Sequence, residues 1–172
     1  MMSRPLLFAV AAGVFALDRS TKRLIENHVS VWDSYEVIPG FFNIVHTQNR
    51  GAAFGLLSEG ASEWRAALLI GLSVAALFAI VVYLLHPSSR RPGSSWLVHA
   101  ALVLILGGAL GNVFDRIVFG AVTDFLQFYI GRFEWPAFNV ADSAITVGAG
   151  LILLDTWVLR RPPEQEQCSQ KS

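Results

Sequence analysis

The stretch FNVADSAIT, residues 138–146, places an aspartate directly in front of a long apolar segment. Asn139 and Asp142 precede residues 144–159, which contain Asp155 as their one charged residue. A carboxylate inside a membrane lacks solvating water, so such residues are rare and are usually paired or functional. The stretch therefore predicts a transmembrane helix with polar groups at its beginning, and it makes the partner of Asp142 the first question about this chain.

The composition of the whole chain also indicates a membrane protein. Of 172 residues, 53% are hydrophobic and 15% are charged, with a formal net charge of zero, whereas soluble domains carry about 25% charged residues. A membrane-spanning helix requires about 20 mainly apolar residues. Four segments reach this length, the first and fourth by including polar neighbours at one end: residues 5–25, 64–85, 96–115 and 139–160. The sequence predicts a single integral membrane domain, residues 1–172, of the all-α class with four transmembrane helices.

The distribution of basic residues predicts the orientation. The N-terminus, the connection between the second and third spans, and the C-terminal tail carry Arg4, Arg90, Arg91, Arg160 and Arg161. The other side of the four spans begins with a mainly acidic loop, residues 26–63, so the positive-inside rule places both termini in the cytoplasm. A cleaved signal peptide, with its cleavage site at Val14-Phe15-Ala16, is the alternative for the N-terminus. An uncleaved first span is simpler because the rest of the chain is itself membrane-embedded.

Two outer connections have distinct compositions. In the first outer loop, Pro39-Gly40 is a turn signal that precedes strand-prone residues, which predicts a small β-containing loop. The second outer connection, Ile117–Ala137, is rich in aromatic residues and is expected to lie in the membrane interface.

With this topology, the polar residues beside the spans all fall at the outer face. They are Asp18, Lys22, Asn112, Asp115, Arg116, Asp124, Asn139 and Asp142, with Asn49 in the outer loop. Asp18 and Lys22 have the i,i+4 spacing of a helix-surface ion pair, and Asp115 is able to neutralise the adjacent Arg116. Asp124 and Asp142 have no cationic neighbour in the sequence.

Two unpaired carboxylates near lipid are stabilised when they share one proton. Such a pair is typical of the catalytic site of an aspartic protease, in which one carboxylate takes a proton from water and the other donates a proton to the peptide carbonyl. The sequence has no HExxH or GxSxG motif, and its histidines lack metal-ligand spacing, so we expect no metal and no cofactor. The neutral net charge gives no indication of nucleic-acid binding. A proton-coupled transporter and a non-catalytic helix bundle are the alternatives, although a transporter would place ionisable groups near the middle of the bilayer.

Five motifs occur in one order along the chain: DRSTK (residues 18–22), NRGAAF (49–54), GGALGNVFDR (107–116), VTDF (122–125) and FNVADSAI (138–145). In order and membrane placement they resemble bacterial lipoprotein signal peptidase, also called signal peptidase II. The resemblance extends from the first span to the fourth. Enzymes of this family are metal-free aspartyl endopeptidases that cleave prolipoproteins directly before a cysteine that carries a diacylglyceryl group.

The resemblance implies roles for particular residues. Asp124 and Asp142 match the catalytic pair. The substrate-binding positions are Asn112, Arg116, Asn139 and, in the outer loop that closes over the site, Asn49 and Gly51. Asp18 and Lys22 match a motif whose role, structural or substrate-facing, stays open, and Asp115 is expected to position Arg116 or to stabilise the fold.

The resemblance also implies the setting of the protein. It predicts a multi-pass protein of the bacterial cytoplasmic (inner) membrane with its active site near the outer leaflet. Its partners are expected to be diacylglyceryl-prolipoprotein substrates and membrane lipid. A monomer is expected because the catalytic pair is completed within one chain.

Overall fold

The computed structural model describes residues 3–50, 63–87 and 95–159. Gly51 and the rest of the NRGAAF motif after Arg50 lie outside these residues, as do the arginines at 90, 91, 160 and 161. The elements are α1 (Arg4–His28), β1 (Ser34–Ile38), β2 (Phe42–Asn49), α2 (Glu63–Leu85), α3 (Trp96–Val118), β3 (Val122–Ile130), β4 (Phe133–Glu134) and α4 (Val140–Leu154), which continues into a π-helical turn, Asp155–Leu159.

The four helices coincide with the four apolar segments of the sequence to within a few residues at each end. Within the described part of the chain, three helical stretches are long and apolar enough to cross a membrane: Ala67–Leu85, Trp96–Val118 and Val140–Trp157. Helix α1 has 25 residues, but its second half carries Asp18, Arg19 and Lys22 and is correspondingly less apolar. The protein is therefore a membrane protein in which one long helix brings charges into the bundle.

Strands from the connections after α1 and after α3 form one antiparallel sheet with the strand order β1-β2-β3-β4. The sheet is larger than the sequence predicts, because the aromatic connection after α3 supplies strand β3, which pairs along β2 with Thr47 opposite Asp124. Phe138 extends this pairing, since its backbone N–H donates to the carbonyl of Leu126 at 3.0 Å. The chain therefore enters α4 directly from the edge of β3, and residue 139 lies beside residue 124.

Helix α3 is the centre of the bundle and packs closely against α1 and α4. Glycines make this approach possible: a Cβ added to Gly107 would lie 2.5 Å from the carbonyl oxygen of Ala11, and one added to Gly108 would lie 2.5 Å from that of Ala141. On α4, a Cβ at Gly148 would lie 2.7 Å from the carbonyl oxygen of Ala101. Contacts of this kind are how small residues bring transmembrane helices together, so the glycine pattern of α3 serves helix packing.

Helix α2 packs against α1 and α3 at the end of the bundle that is remote from the sheet. Leu77 and Leu84 of α2 join Leu7, Val103 and Leu106 in one buried apolar cluster. At the same end, the guanidinium of Arg4 donates a 2.7 Å hydrogen bond to the carbonyl of Leu85, the last residue of α2. This contact satisfies one of the carbonyls that a helix leaves without a partner at its C-terminus.

A pair of glycine substitutions on α4 tests this packing. Gly148→Ala pushes a methyl group against the backbone of Ala101, and overpacking of this kind costs about 1–3 kcal/mol. Gly150→Ala gains the same helix propensity, but its Cβ meets nothing within 4 Å. We expect Gly148→Ala to unfold at a lower temperature than Gly150→Ala in detergent, by circular dichroism or fluorescence. Equal unfolding temperatures would contradict the close contact between α3 and α4.

Candidate active site

The first turn of α4 is held by a reciprocal cap. The side-chain oxygen of Asn139 accepts a 2.9 Å hydrogen bond from the backbone N–H of Asp142. In return, Oδ2 of Asp142 accepts from the backbone N–H of Asn139 at 3.4 Å. This arrangement, a capping box, satisfies backbone donors at the helix start and fixes the carboxylate there. Asp142 also lies at the end of α4 where the helix dipole favours negative charge.

The side-chain amide of Asn139 also contacts the second aspartate. Its Nδ2 donates to Oδ1 of Asp124 at 2.6 Å, and Asn139 itself is fully buried. The other oxygen of Asp124, Oδ2, accepts from Nδ2 of Asn49 at 3.1 Å. Both oxygens of Asp124 therefore have an amide donor, one from the start of α4 and one from the end of β2.

Asp142 also accepts a hydrogen bond from helix α3. Nδ2 of Asn112 donates a 2.7 Å hydrogen bond to Oδ1 of Asp142. Both oxygens of Asp142 thus accept N–H donors, from Asn112 and from the backbone of Asn139. The two aspartates are therefore neighbours that share Asn139 as a common contact, as the sequence predicts for a carboxylate pair.

The environment of Asp124 changes its protonation. Its side chain is buried, with 3% of the residue exposed. Burial, followed by the negative charge of Asp142, raises the pKa of Asp124 from 3.8 to about 6, against the opposing effect of the hydrogen bonds from Asn49 and Asn139. Asp124 therefore keeps a proton at a mildly acidic pH at which an ordinary aspartate has lost it, which suits a proton donor.

A buried ion cluster lies behind the aspartates. The ammonium of Lys22 is 2.8 Å from Oδ2 of Asp18 and 2.7 Å from Oδ2 of Asp115. It also donates a 2.9 Å hydrogen bond to Oδ1 of Asn112. Oδ1 of Asp18 in turn accepts from the backbone N–H of Ala141 at 2.9 Å. The predicted Asp18–Lys22 ion pair is confirmed, and the cluster connects α1, α3 and the first turn of α4.

Comparison with known proteins identifies the family. The sequence model of signal peptidase (SPase) II matches residues 10–158. The chain belongs to the signal peptidase II family. The lipoprotein signal peptidase of Solibacter usitatus is 53% identical to it over 158 residues, which are 92% of each chain. That of Oleidesulfovibrio alaskensis is 43% identical and covers 86% of this chain and 92% of its own.

A solved structure supports the same assignment at the level of the fold. A bacterial membrane enzyme determined by the in meso method at 1.9 Å resolution is 32% identical to this chain. The two structures superpose with a TM-score of 0.75, over 90% of this chain and 94% of the other.

Asp115 has different partners from those that the sequence indicates. It contacts Lys22 and also Arg19, whose Nη1 is 2.5 Å from its Oδ1, whereas the guanidinium of Arg116 donates to the backbone carbonyl of Asn112 at 3.3 Å. Of the two expected roles of Asp115, these contacts fit stabilisation of the fold. Sequence reasoning missed Arg19, which also lies over the rings of Phe114 and Phe119 at 5.4 and 5.0 Å from their centroids.

The structure brings most of the sequence-predicted site residues together, in direct contact with the aspartates or linked to them through Asn112 and Lys22. These residues are Asp18, Lys22, Asn49, Asn112, Asp115, Arg116, Asp124, Asn139 and Asp142. Gly51 lies outside the described residues. Among the residues that the structure describes, no group of three or more His, Cys, Asp or Glu side chains is arranged to hold a metal ion.

The raised pKa of Asp124 predicts a pH-dependent effect on stability. Because the folded state binds this proton more tightly than the unfolded chain, Asp124 stabilises the fold below about pH 4, and this stabilisation is lost as the pH rises through about 6. For a pKa of about 6, this contribution of Asp124 to the free energy of unfolding falls by about 3 kcal/mol. Asp124→Asn does not titrate, so its melting temperature should rise relative to that of the wild type between about pH 4 and pH 7.

The exposed Asp33 provides the matched control, since Asp33→Asn makes the same chemical change without removing a buried carboxylate. Thermal unfolding of the three proteins in one detergent across that pH range makes the comparison. A difference between Asp124→Asn and the wild type that stays constant with pH would contradict the raised pKa.

Proposed function

We propose that Asp124 and Asp142 form the catalytic pair of an aspartic endopeptidase that removes the signal peptide from diacylglyceryl-modified prolipoproteins. The family supplies the reaction, since its members are lipoprotein signal peptidases. The observation that supports these two residues is the contact of Asn139 with both, by the capping box to Asp142 and by a 2.6 Å hydrogen bond to Asp124. That contact holds one carboxylate at a helix N-terminus and the other in a buried site.

The environments of the two carboxyl groups support one division of roles. Asp142 accepts N–H donors at both oxygens, so it serves as the base that takes a proton from the attacking water. Asp124, with its pKa raised to about 6 by burial and by the charge of Asp142, carries the proton that is donated to the carbonyl oxygen of the scissile bond. The two proton affinities belong to the pair as a unit.

Each proton in the reaction is accounted for. Water adds to the carbonyl carbon while Asp142 takes one of its protons and the carbonyl oxygen receives the proton of Asp124. The tetrahedral intermediate then collapses: its C–N bond breaks, the proton on Asp142 passes to the leaving nitrogen, and a hydroxyl proton of the intermediate returns to Asp124. The products are a carboxylic acid at the end of the signal peptide and a free amine on the lipid-modified cysteine, with both aspartates in their starting states.

Arg116 and Asn49 are placed to bind the substrate beside this pair. Among the described residues, Arg116 makes one side-chain hydrogen bond, to the carbonyl of Asn112, so most of its five donors are available to substrate carbonyl groups. Asn49, the first residue of the NRGAAF motif that also carries Gly51, contacts Asp124 at the end of β2. Asn112 and Asn139 hold the aspartates and form the floor of the same site.

The site belongs near the outer leaflet in the proposed topology. All four helices cross the membrane in a single domain, residues 1–172, with both termini in the cytoplasm, and the sheet lies on the outer surface. The sheet and the turns beside it expose Trp32, Phe41, Ile130 and Phe133, as expected for a structure that rests in the interface. The diacylglyceryl group then holds the scissile bond at the depth of the aspartates, which converts part of the barrier into prior positioning. The enzyme acts as a monomer without a metal or another cofactor.

Cleavage of a diacylglyceryl-modified prolipoprotein tests the assignment. We expect Asp124→Asn and Asp142→Asn each to lower the rate by at least about 100-fold, because a single carboxyl group cannot serve as acid and base together. The measurement is the mobility shift of the cleaved product on a gel, with size-exclusion profiles to show that each variant is folded.

Asp33→Asn is the matched control and should cleave as the wild type does, since Asp33 is exposed and lies outside the cluster. The same substrate without its lipid should stay uncut. Wild-type cleavage by either site variant would overturn the catalytic pair. A folded wild type that cleaves nothing would favour proton transport or a non-catalytic role.

A further inference from the structure

Lys22 is the most buried cation of the site, and the proposed mechanism does not use it. Its side chain has no exposed surface, although a buried ammonium is costly unless it is paired. The two carboxylates of Asp18 and Asp115 surround it, and its third contact is a neutral group, Oδ1 of Asn112 at 2.9 Å. The ion pairs compensate the positive charge of Lys22, whereas its contact with Asn112 connects it to Asp142.

The donors around its oxygen determine which way the Asn112 amide points: Lys22 makes the shorter contact, at 2.9 Å, and Nδ2 of Asn139 donates to the same oxygen at 3.4 Å. An ammonium has donors and no acceptor, so the atom of Asn112 that faces Lys22 must be the oxygen. The NH₂ group is then directed to the opposite side, where it donates to Oδ1 of Asp142 at 2.7 Å. The reversed amide would place its donors against the ammonium and its oxygen against a carboxylate, which is repulsive at both ends.

We propose that Lys22 is a positioning residue for the reaction: through the amide of Asn112 it directs an N–H donor at Asp142 and thereby holds that carboxylate in the orientation from which it acts as the base. The proposal rests on the proposed function of Asp142. The hydrogen bonds are arranged in series, from the ammonium to the amide oxygen and from the amide nitrogen to the carboxylate, and each bond in such a chain polarises the next. Lys22 thus acts on the reaction without contact with the substrate.

The surrounding charges are consistent with this role. The other charged groups around Lys22 and the aspartates are Asp18, Arg19 and Glu26 from α1, Asp115 and Arg116 from α3, and Asp124 from β3. Asp115 already has a second cation in Arg19, and Asp18 has a second donor in the backbone of Ala141. Each carboxylate of the cluster therefore keeps a partner when Lys22 is replaced together with one negative charge.

The test uses a charge-balanced double variant, Lys22→Met/Asp18→Asn. Asn at position 18 retains an oxygen that accepts from Ala141, and the Arg19–Asp115 pair is preserved, so the cluster stays neutral. We expect kcat for the diacylglyceryl-modified prolipoprotein to fall at least about tenfold, with KM changed by less than about twofold, because the substrate contacts are kept.

Two further variants separate positioning from structural support. Asp18→Asn alone retains Lys22 and its contact with Asn112, so its kcat should be higher than that of the Met double variant. Lys22→Gln/Asp18→Asn provides an NH₂ donor to the oxygen of Asn112 and should recover most of the kcat that the Met variant loses. This comparison with Asp18→Asn also keeps the proposal testable if the Met variant does not fold.

Equal kcat values for the Met, Gln and Asp18→Asn proteins would overturn the role of Lys22, and so would a loss of kcat in the Met variant that the Gln variant does not recover. Asp142→Asn, measured in parallel, distinguishes a failure of the proposed function from a failure of the inference about Lys22. If Asp142→Asn cleaves, the proposed function itself fails. If Asp142→Asn is inactive and the Lys22 variants behave as Asp18→Asn does, only the inference about Lys22 fails.

Discussion

Asn139 caps α4 and, through the same side-chain amide, donates a hydrogen bond to Asp124 on β3. A helix cap is normally a local matter that is worth about 1 kcal/mol. Here the cap also fixes the distance between the outer sheet and the helix bundle, because Asp142 lies in the first turn of α4 and Asp124 lies in the strand. The geometry of the site is thus built from a backbone requirement, the need of the first N–H groups of α4 for acceptors.

The ion cluster of α1 and α3 offsets the cost of burying charged side chains. Charged side chains at membrane depth are costly, and a buried ion pair is more often a specificity device than a source of stability. Lys22, Asp18, Asp115 and Arg19 balance one another inside the protein. The arrangement leaves the carboxylate of Asp142 outside the ion pairs, with neutral N–H donors as its contacts.

Much of the fold follows from the sequence for simple reasons. Apolar length predicts the four helices, and the position of Asp142 at the start of α4 follows from the change in polarity at residue 139. The Asp18–Lys22 pair follows from i,i+4 spacing, since neighbours on one helix face need no tertiary information. The proximity of Asp124 to Asp142 follows from topology, because both residues were expected at the same face of the membrane.

The contacts that tertiary structure alone determines could not be predicted in this way. The pairing of β2 with β3 joins segments that are separated by two helices, and the aromatic residues of β3 suggested an interfacial segment rather than a strand. Arg19 was missed because its partner Asp115 is on another helix. The amide of Asn112 has two distinguishable ends, and the positions of Lys22, Asn139 and Asp142 around it show which end faces each of them.

The most direct test of Asp124 and Asp142 as the catalytic pair is a structure of Asp124→Asn with an uncut diacylglyceryl-modified prolipoprotein bound. We expect the carbonyl carbon of the scissile bond to lie between residues 124 and 142, close enough to both for one water molecule to reach it. The lipid should lie on the membrane side of that bond. A scissile bond held elsewhere, out of reach of Asp142, would contradict the assignment of these two aspartates as the catalytic pair.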